Sequence, residues 1–580
     1  MKYLFVCAIG PVQDFIATAR RSRDLWYGSW MLSELSKAAA KKVDVLFPKS
    51  LVFPDPALLE TGSRLNVPNK ISAIFEEDPG QRGEEVREAV AFRMEELGED
   101  ALKPVKDRID YPLAQQQIKD LLEFYWVSVP FQSDKDYPEA RDRAEALLAA
   151  RKATRDFKQA KGRNVPKSSL DGARESVIPK SEYPERNEPI AAKEKKIQNL
   201  YRHYHARQGE QLSGVDLLKR LGERKNEPDF KSTSDMAAIP FLERVEREKG
   251  KGKDRELLGK IRTLLEQSDW DIDEAEEELV FDSRLSDWVP AGKQQDDLRK
   301  GIADLLKEYT NEKFSPNPYY ALIAADGDNM GVVIDAQQDP KAHRDLSGAL
   351  SQFAADVPGI VEDEKTNGVL IYAGGDDVLA YLPLNTVLNC AAQLEKVFRE
   401  KLARFTALKE GEIISPTLSI GIIIAHHLEP LSDVLELARS AEREAKQEKG
   451  KNGLAITLRK RGGADRTISG KWGMFDERLK ELIKLYSTKA ISGGTAYELQ
   501  KLHRDLSGTG IPADGLAKEA LRIVKRKRES GGEEDIKKEV KDAFKQWLVT
   551  DGIPLDELAK EMIIAGMFKG DAEPLAATDI

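Results

Sequence analysis

The order of apolar runs between residues 316 and 460 constrains this chain more than any other feature. Short runs rich in branched and aromatic residues, "YYALIAAD", "GVLIYA", "DVLAYLP", "SPTLSIGIIIAH" and "GLAITLRK", read as strands. Stretches of helical spacing separate them near 341–363, over "TVLNCAAQLEKVFREKLARF" and over "LSDVLELARSAEREAKQEKG". Strand, helix, two strands joined as a hairpin, helix, strand is the split βαβ order. It predicts a ferredoxin-like sheet covered by helices on one face.

The same kind of unit recurs at the start of the chain. "YLFVCAI", "NKISAIF" and "YWVSVP", the last ending at a proline, read as strands, and "WMLSELSKAAAKKV" reads as a helix. The expectation is an α+β chain in four parts. Residues 1–130 and 316–465 form two ferredoxin-like units, 131–315 a connector of exposed, charged helices, and 466–580 a helical bundle.

At 580 residues the chain is long enough for several domains, with 33% charged and 41% apolar residues. A net charge of −10 argues against a uniformly basic nucleic-acid binder, although "VKRKR" at 524–528 is locally basic and reads as solvated helix surface. Two cysteines, Cys7 and Cys390, exclude a disulfide framework and point to a reducing cytoplasm. The opening "MKYLFVCAIG" is too short in its apolar run for a signal peptide, and no run approaches the ~20 residues that span a bilayer.

Carboxylates gather at the ends of the predicted strands. "ALIAADGDNMG" ends a strand in Asp326, Gly327 and Asp328, and "VLIYAGGDDVLAYLP" sets Gly374, Gly375, Asp376 and Asp377 at a hairpin tip. Adjacent like charges in a tight turn are unfavourable unless a cation sits there. The split βαβ topology brings both loops to neighbouring strands, where three or four carboxylates converge. Mg²⁺ is commonly held by one or two carboxylates plus substrate phosphates, and two such ions could activate a hydroxyl and stabilise a leaving pyrophosphate. The two glycines allow a tight turn and close approach of a ligand to the backbone. Lys446 lies near the end of a helix that Gly450 is expected to cap, placed to neutralise a triphosphate.

These motifs resemble the large polymerase-like subunit of type III CRISPR effector complexes, whose Palm domain is related to GGDEF diguanylate cyclases. The motifs are "ADGDNMG" (325–331), "YAGGDDVLAY" (372–381), "LSIGI" (418–422) and "AEREAKQEKGKNG" (441–453). The opening "IGPVQDFIATARRSRDLWYGSWMLSELS" (9–36), with "NVPNKISAIF" (66–75) and "WVSVP" (126–130), looks like the first Palm of the type III-B branch. The resemblance implies that Asp326, Asp376 and Asp377 are catalytic and hold two Mg²⁺ or Mn²⁺ ions, assisted by the Gly327 carbonyl. It assigns Gly374, Gly375, Ser419 and Lys446 to nucleotide binding, and Asp328 either to that role or to orienting its loop. The implied activity is synthesis of cyclic oligoadenylates from ATP, switched on by target RNA, in a complex with other effector subunits and guide RNA. The first Palm, lacking a Gly-Gly-Asp-Asp turn, would hold a second ATP.

Two departures from the family pattern carry expectations. The six histidines include no His-Asp pair, so no HD nuclease activity is expected, and His343 and His503, each in "HRDL", read as structural or solvent-facing. "VPKSSLDGARESVIP" (165–179) has serine and aspartate where relatives carry zinc-binding cysteines, so no zinc is expected. The alternatives are a catalytically inactive scaffold that binds nucleotide and RNA, and a cyclic dinucleotide synthase of the diguanylate type.

Overall fold

The computed structural model describes residues 1–12, 15–16, 18–59, 66–154, 162–224, 230–267, 277–289, 292–526 and 538–568. The first sheet comprises β1 (Lys2–Gly10), β2 (Leu51–Phe53), β3 (Lys70–Phe75) and β4 (Glu123–Phe131), in the order β2-β3-β1-β4 with every neighbour antiparallel. The last strand therefore runs one residue past Pro130 rather than ending there.

The second sheet holds β5 (Tyr319–Asp328), β6 (Val369–Gly374) and β7 (Asp377–Leu382). After the small separate hairpin β8 (Ala407–Lys409) and β9 (Glu412–Ile414) come β10 (Thr417–His426), β11 (Gly453–Arg459) and β12 (Arg466–Lys471). Their order is β12-β11-β10-β5-β7-β6, and its last four strands repeat the arrangement of the first sheet. Two copies of one ferredoxin-like topology therefore stand in one chain. The strand β12 extends the sheet past residue 465, into a segment that reads as purely helical in sequence.

Helices cover both faces of the second sheet, which corrects the one-faced expectation. Along β5, Ala321, Ile323 and Ala325 pack with helices Pro340–Val361 and Val387–Leu402 and with the C-terminal helices. Tyr320, Leu322 and Ala324 join a core shared with the first unit and with α1 (Leu431–Ala445). A strand buried on both faces has no polar side to display, which is why "ALIAA" is continuously apolar.

The connector is less exposed than its charge suggests. Helix Gly214–Leu221 is buried almost throughout, including Asp216, Lys219 and Arg220. The Arg220 guanidinium forks onto Asp24, at 2.6 and 2.9 Å, and donates to Glu210 at 3.2 Å. Charge in this segment is neutralised by pairing, a possibility that charge density alone cannot distinguish from solvation. In the 165–179 loop, buried Ser168 donates to Asp216 at 2.7 Å and accepts from the amides of Leu170 and Asp171.

The two units are also joined directly. Arg344 donates to the Leu51 carbonyl at 2.9 Å, and Arg141 reaches the Ile334 carbonyl at 2.8 Å and Asp335 at 3.2 Å. His343 bonds Tyr137 at 2.8 Å, and burial, with Arg141 adding to it, lowers the imidazole to about 4, so it is a neutral packing residue. The chain ends in helices Phe475–Ser487, Gly493–Leu506, Ala513–Arg526, Lys538–Lys545 and Leu555–Ala565, which pack on one another as the predicted bundle. Residues 527 and 528 of the basic run lie outside the described residues. No described helix is long and apolar enough to cross a membrane.

Candidate metal and nucleotide site

The strand end of β5 and the β6–β7 turn meet at one point. Gly374 pairs with Asp377 across a two-residue turn, and Gly375 takes a φ of 68°, the left-handed region that glycine enters without penalty. A Cβ on Gly327 would lie 2.7 Å from both Cβ and Oδ2 of Asp376, so only glycine lets the two loops touch. Asp326 and Asp328, two residues apart, share one face of β5, opposite Ser419 and Thr417 of β10. The strand end that carries Asp326 and Asp328 therefore touches the turn that carries Asp376 and Asp377.

Their environments differ. Burial raises the Asp376 carboxyl to about 6. Asp377 keeps solvent contact, yet its crowded surroundings, followed by repulsion from Asp376 and Glu442, raise it to about 7. Asp328 is fully buried. Its Oδ2 accepts from the Thr417 and Ser419 hydroxyls at 2.7 Å and from the Asn452 amide at 3.0 Å, whereas its Oδ1 is buried without a partner.

Ser419 is fully buried with its hydroxyl on Asp328, so in this structure it supports the aspartate rather than facing a nucleotide. A Cβ on Gly374 would meet the Tyr372 hydroxyl at 2.1 Å, so this glycine makes room for the tyrosine, while the space over Gly375 is open. Helix α1 stops at Ala445, earlier than expected, and Gly450, Lys451 and Asn452 all follow in the left-handed region. Lys446 ion-pairs with Asp326 and, at 2.9 Å, with Glu442. Burial and the nearby Lys451 pull its ammonium down to about 8, against the two carboxylates that favour the charged form.

Three site residues escaped the sequence reading: Glu442, Thr417 and Asn452. The spacing of Glu442 to Lys446, one helical turn, is the signal that could have found the first. Gly421 explains its placement, because a Cβ there would lie 2.2 Å from the Glu442 amide nitrogen, so the glycine lets α1 press against β10.

Comparison with known proteins bears on both units. Residues 319–455 match the family described as Cas10/Cmr2, second palm domain, and residues 4–107 match CRISPR-associated protein Cmr2, N-terminal. A curated relative, the CRISPR system Cmr subunit Cmr2 of Pyrococcus furiosus, is 28% identical over 79% of this chain. Both matched stretches are thus similar to Cas10/Cmr2 proteins. The chain spans 61% of the length of that relative.

Solved structures agree at the level of fold. Type III-B Cmr-beta in its apo state matches 95% of this chain and 82% of that one, with a TM-score of 0.61 and 15% identity. Type III-B Cmr-beta bound to cognate target RNA matches 93% and 80%, with a TM-score of 0.62 and 16% identity. The site described above lies inside the Cas10/Cmr2 palm match, and all its assigned residues fall between 326 and 446.

The donor set of this site suits a hard cation. It is made of carboxylate and carbonyl oxygens, and the orphaned Asp328 Oδ1 shows acceptor capacity left unused. Among the described residues no three His, Cys, Asp or Glu side chains are gathered as a ready cage. The residues therefore fit an ion that takes one or two carboxylates from the protein and its other ligands from water and phosphate.

Proposed function

We propose that this chain is the large subunit of a type III-B CRISPR effector complex in the cytoplasm. When guide RNA in the complex pairs with target RNA, it joins ATP molecules into cyclic oligoadenylates that signal antiviral defence. The observation that carries this reading is the contact of Gly327 with Asp376, which brings the Asp326 strand end against an intact Gly-Gly-Asp-Asp turn. The kinship with a Cmr subunit supports the assembly and RNA parts of the reading.

Asp326, Asp376, Asp377 and the Gly327 carbonyl would hold Mg²⁺ or Mn²⁺, which when bound lowers the pKa of the attacking 3′-hydroxyl and steadies the departing pyrophosphate. The residues of the chain do the positioning. Asp328, tied to Thr417, Ser419 and the Asn452 amide, fixes the end of β5 against β10. Gly375 leaves its outer side open for a nucleotide to approach the backbone. Lys446 supplies positive charge for the triphosphate, and Glu442 anchors it. The first ferredoxin-like unit, without such a turn, would hold the second ATP. The C-terminal bundle would contact small helical subunits, and the N-terminal unit would face the 5′ end of the guide RNA.

The test is the assembled complex with ATP, Mg²⁺ and complementary RNA, analysed for cyclic adenylates by mass spectrometry. Asp376→Ala with Asp377→Ala should remove the product, and undiminished product in that variant would refute the assignment. The alternative is a scaffold that binds nucleotide and RNA without turnover. That reading predicts ATP binding with no product from the unaltered chain.

A further inference from the structure

Five carboxylates crowd this end of the sheet: Asp326, Asp328, Asp376, Asp377 and, from α1, Glu442. The Lys446 ammonium sits between two of them, Asp326 and Glu442, in a pocket where Lys446 and Asp326 side chains keep only 22% and 32% of their exposure. We propose that Lys446 is a resident counter-ion that a divalent cation must displace from Asp326, and that Glu442 retains the lysine once displaced, leaving its ammonium free to meet an anion. The inference rests on the metal reading above and extends it from the ligands to the residue that competes with the ion.

Three observations support it. Asp326 is the strand-end carboxylate of the predicted ligand set, and its Oδ2 is the atom that Lys446 occupies. Glu442 holds the same ammonium at 2.9 Å, so the lysine has a second partner beside Asp326. The helix backbone is packed directly on β10 at Gly421, where a Cβ would lie 2.2 Å from the Glu442 amide nitrogen, and lifting it away would open that close-packed contact. Exchange therefore falls to the side chains. Lysine suits this role, having a compact charge on a flexible four-carbon stem, and Glu442 lies one helical turn away on the same face. A cation and the ammonium compete for one oxygen, so by linkage each weakens the binding of the other.

The experiment is Mn²⁺ binding to the full chain without nucleotide, read as free Mn²⁺ by electron paramagnetic resonance. Lys446→Met should bind Mn²⁺ about fivefold more tightly, the fold-change that corresponds to loss of a part-exposed ion pair of about 1 kcal/mol. Lys446→Gln, which keeps a polar side chain, should give the same direction of change. Combining Lys446→Met with Asp326→Asn should erase the gain. Mn²⁺ affinity unchanged or weakened in both lysine variants overturns the proposal while leaving the metal site standing. Asp326→Asn alone binding as tightly as the unaltered chain overturns the metal reading beneath it.

Discussion

Asp376 and Asp377 give the site a pH dependence of defined sign. Both carboxyls are raised, to about 6 and about 7, from an unfolded value near 3.8. Between those values the folded chain holds protons that the unfolded chain has released, so their contribution to stability is full below about pH 4 and is lost as pH rises through 6 and 7. Urea denaturation of the cation-free chain should show this decline, and Asp376→Asn with Asp377→Asn should flatten it. An unchanged slope in the double variant would contradict the assignment of the effect to this pair. Ser419 acts through Asp328: Ser419→Ala removes a hydrogen bond to a buried carboxylate and should cost about 1.5–3 kcal/mol in the same measurement. Asp326, Asp376 and Asp377 were legible in the sequence because like charges stood at the ends of apolar strands. The supporting roles of Thr417, Ser419 and Asn452 were not, since they depend on which strand lies beside β5 and in what register.

At the scale of elements, the junction of α1 with β10 decides whether the site assembles. Gly421→Ala places a methyl group where the Glu442 amide already stands, so α1 must move outward. Overpacking of this kind should cost about 1–3 kcal/mol, and it should weaken nucleotide binding more than a substitution elsewhere on the sheet, because Glu442 and Lys446 move with the helix. Denaturation and ATP binding by calorimetry measure the two effects. The long strands, the hairpin and most helices were legible from apolar period. The short strands β2, β8 and β9 were too brief to carry a period, and β12, "RTISGK", has a single buried apolar residue, Ile468. Helix Gly214–Leu221 reads as charged, and only the pairing of Arg220 with Asp24 and Glu210 shows why such a helix is buried.

The whole molecule is two ferredoxin-like units interlocked through a shared core, with the site at the strand ends of the second. Sequence order displayed both units, but not that the first one covers a face of the second sheet, because a two-sided strand looks the same whichever element covers it. Arg141 is part of the seam between them. Arg141→Ala leaves the Ile334 and Gln337 carbonyls without this donor and should cost about 2–3 kcal/mol, with the largest loss of amide-exchange protection around residues 330–337. That the strand ends of the second unit form a catalytic site and not only a binding one is tested by Asp326→Asn in the assembled, RNA-activated complex. Cyclic adenylate formation should fall by at least about a hundredfold, the scale of losing one electrostatic contact to the reacting centre, while ATP affinity changes by no more than about threefold. Undiminished product from Asp326→Asn would contradict the account.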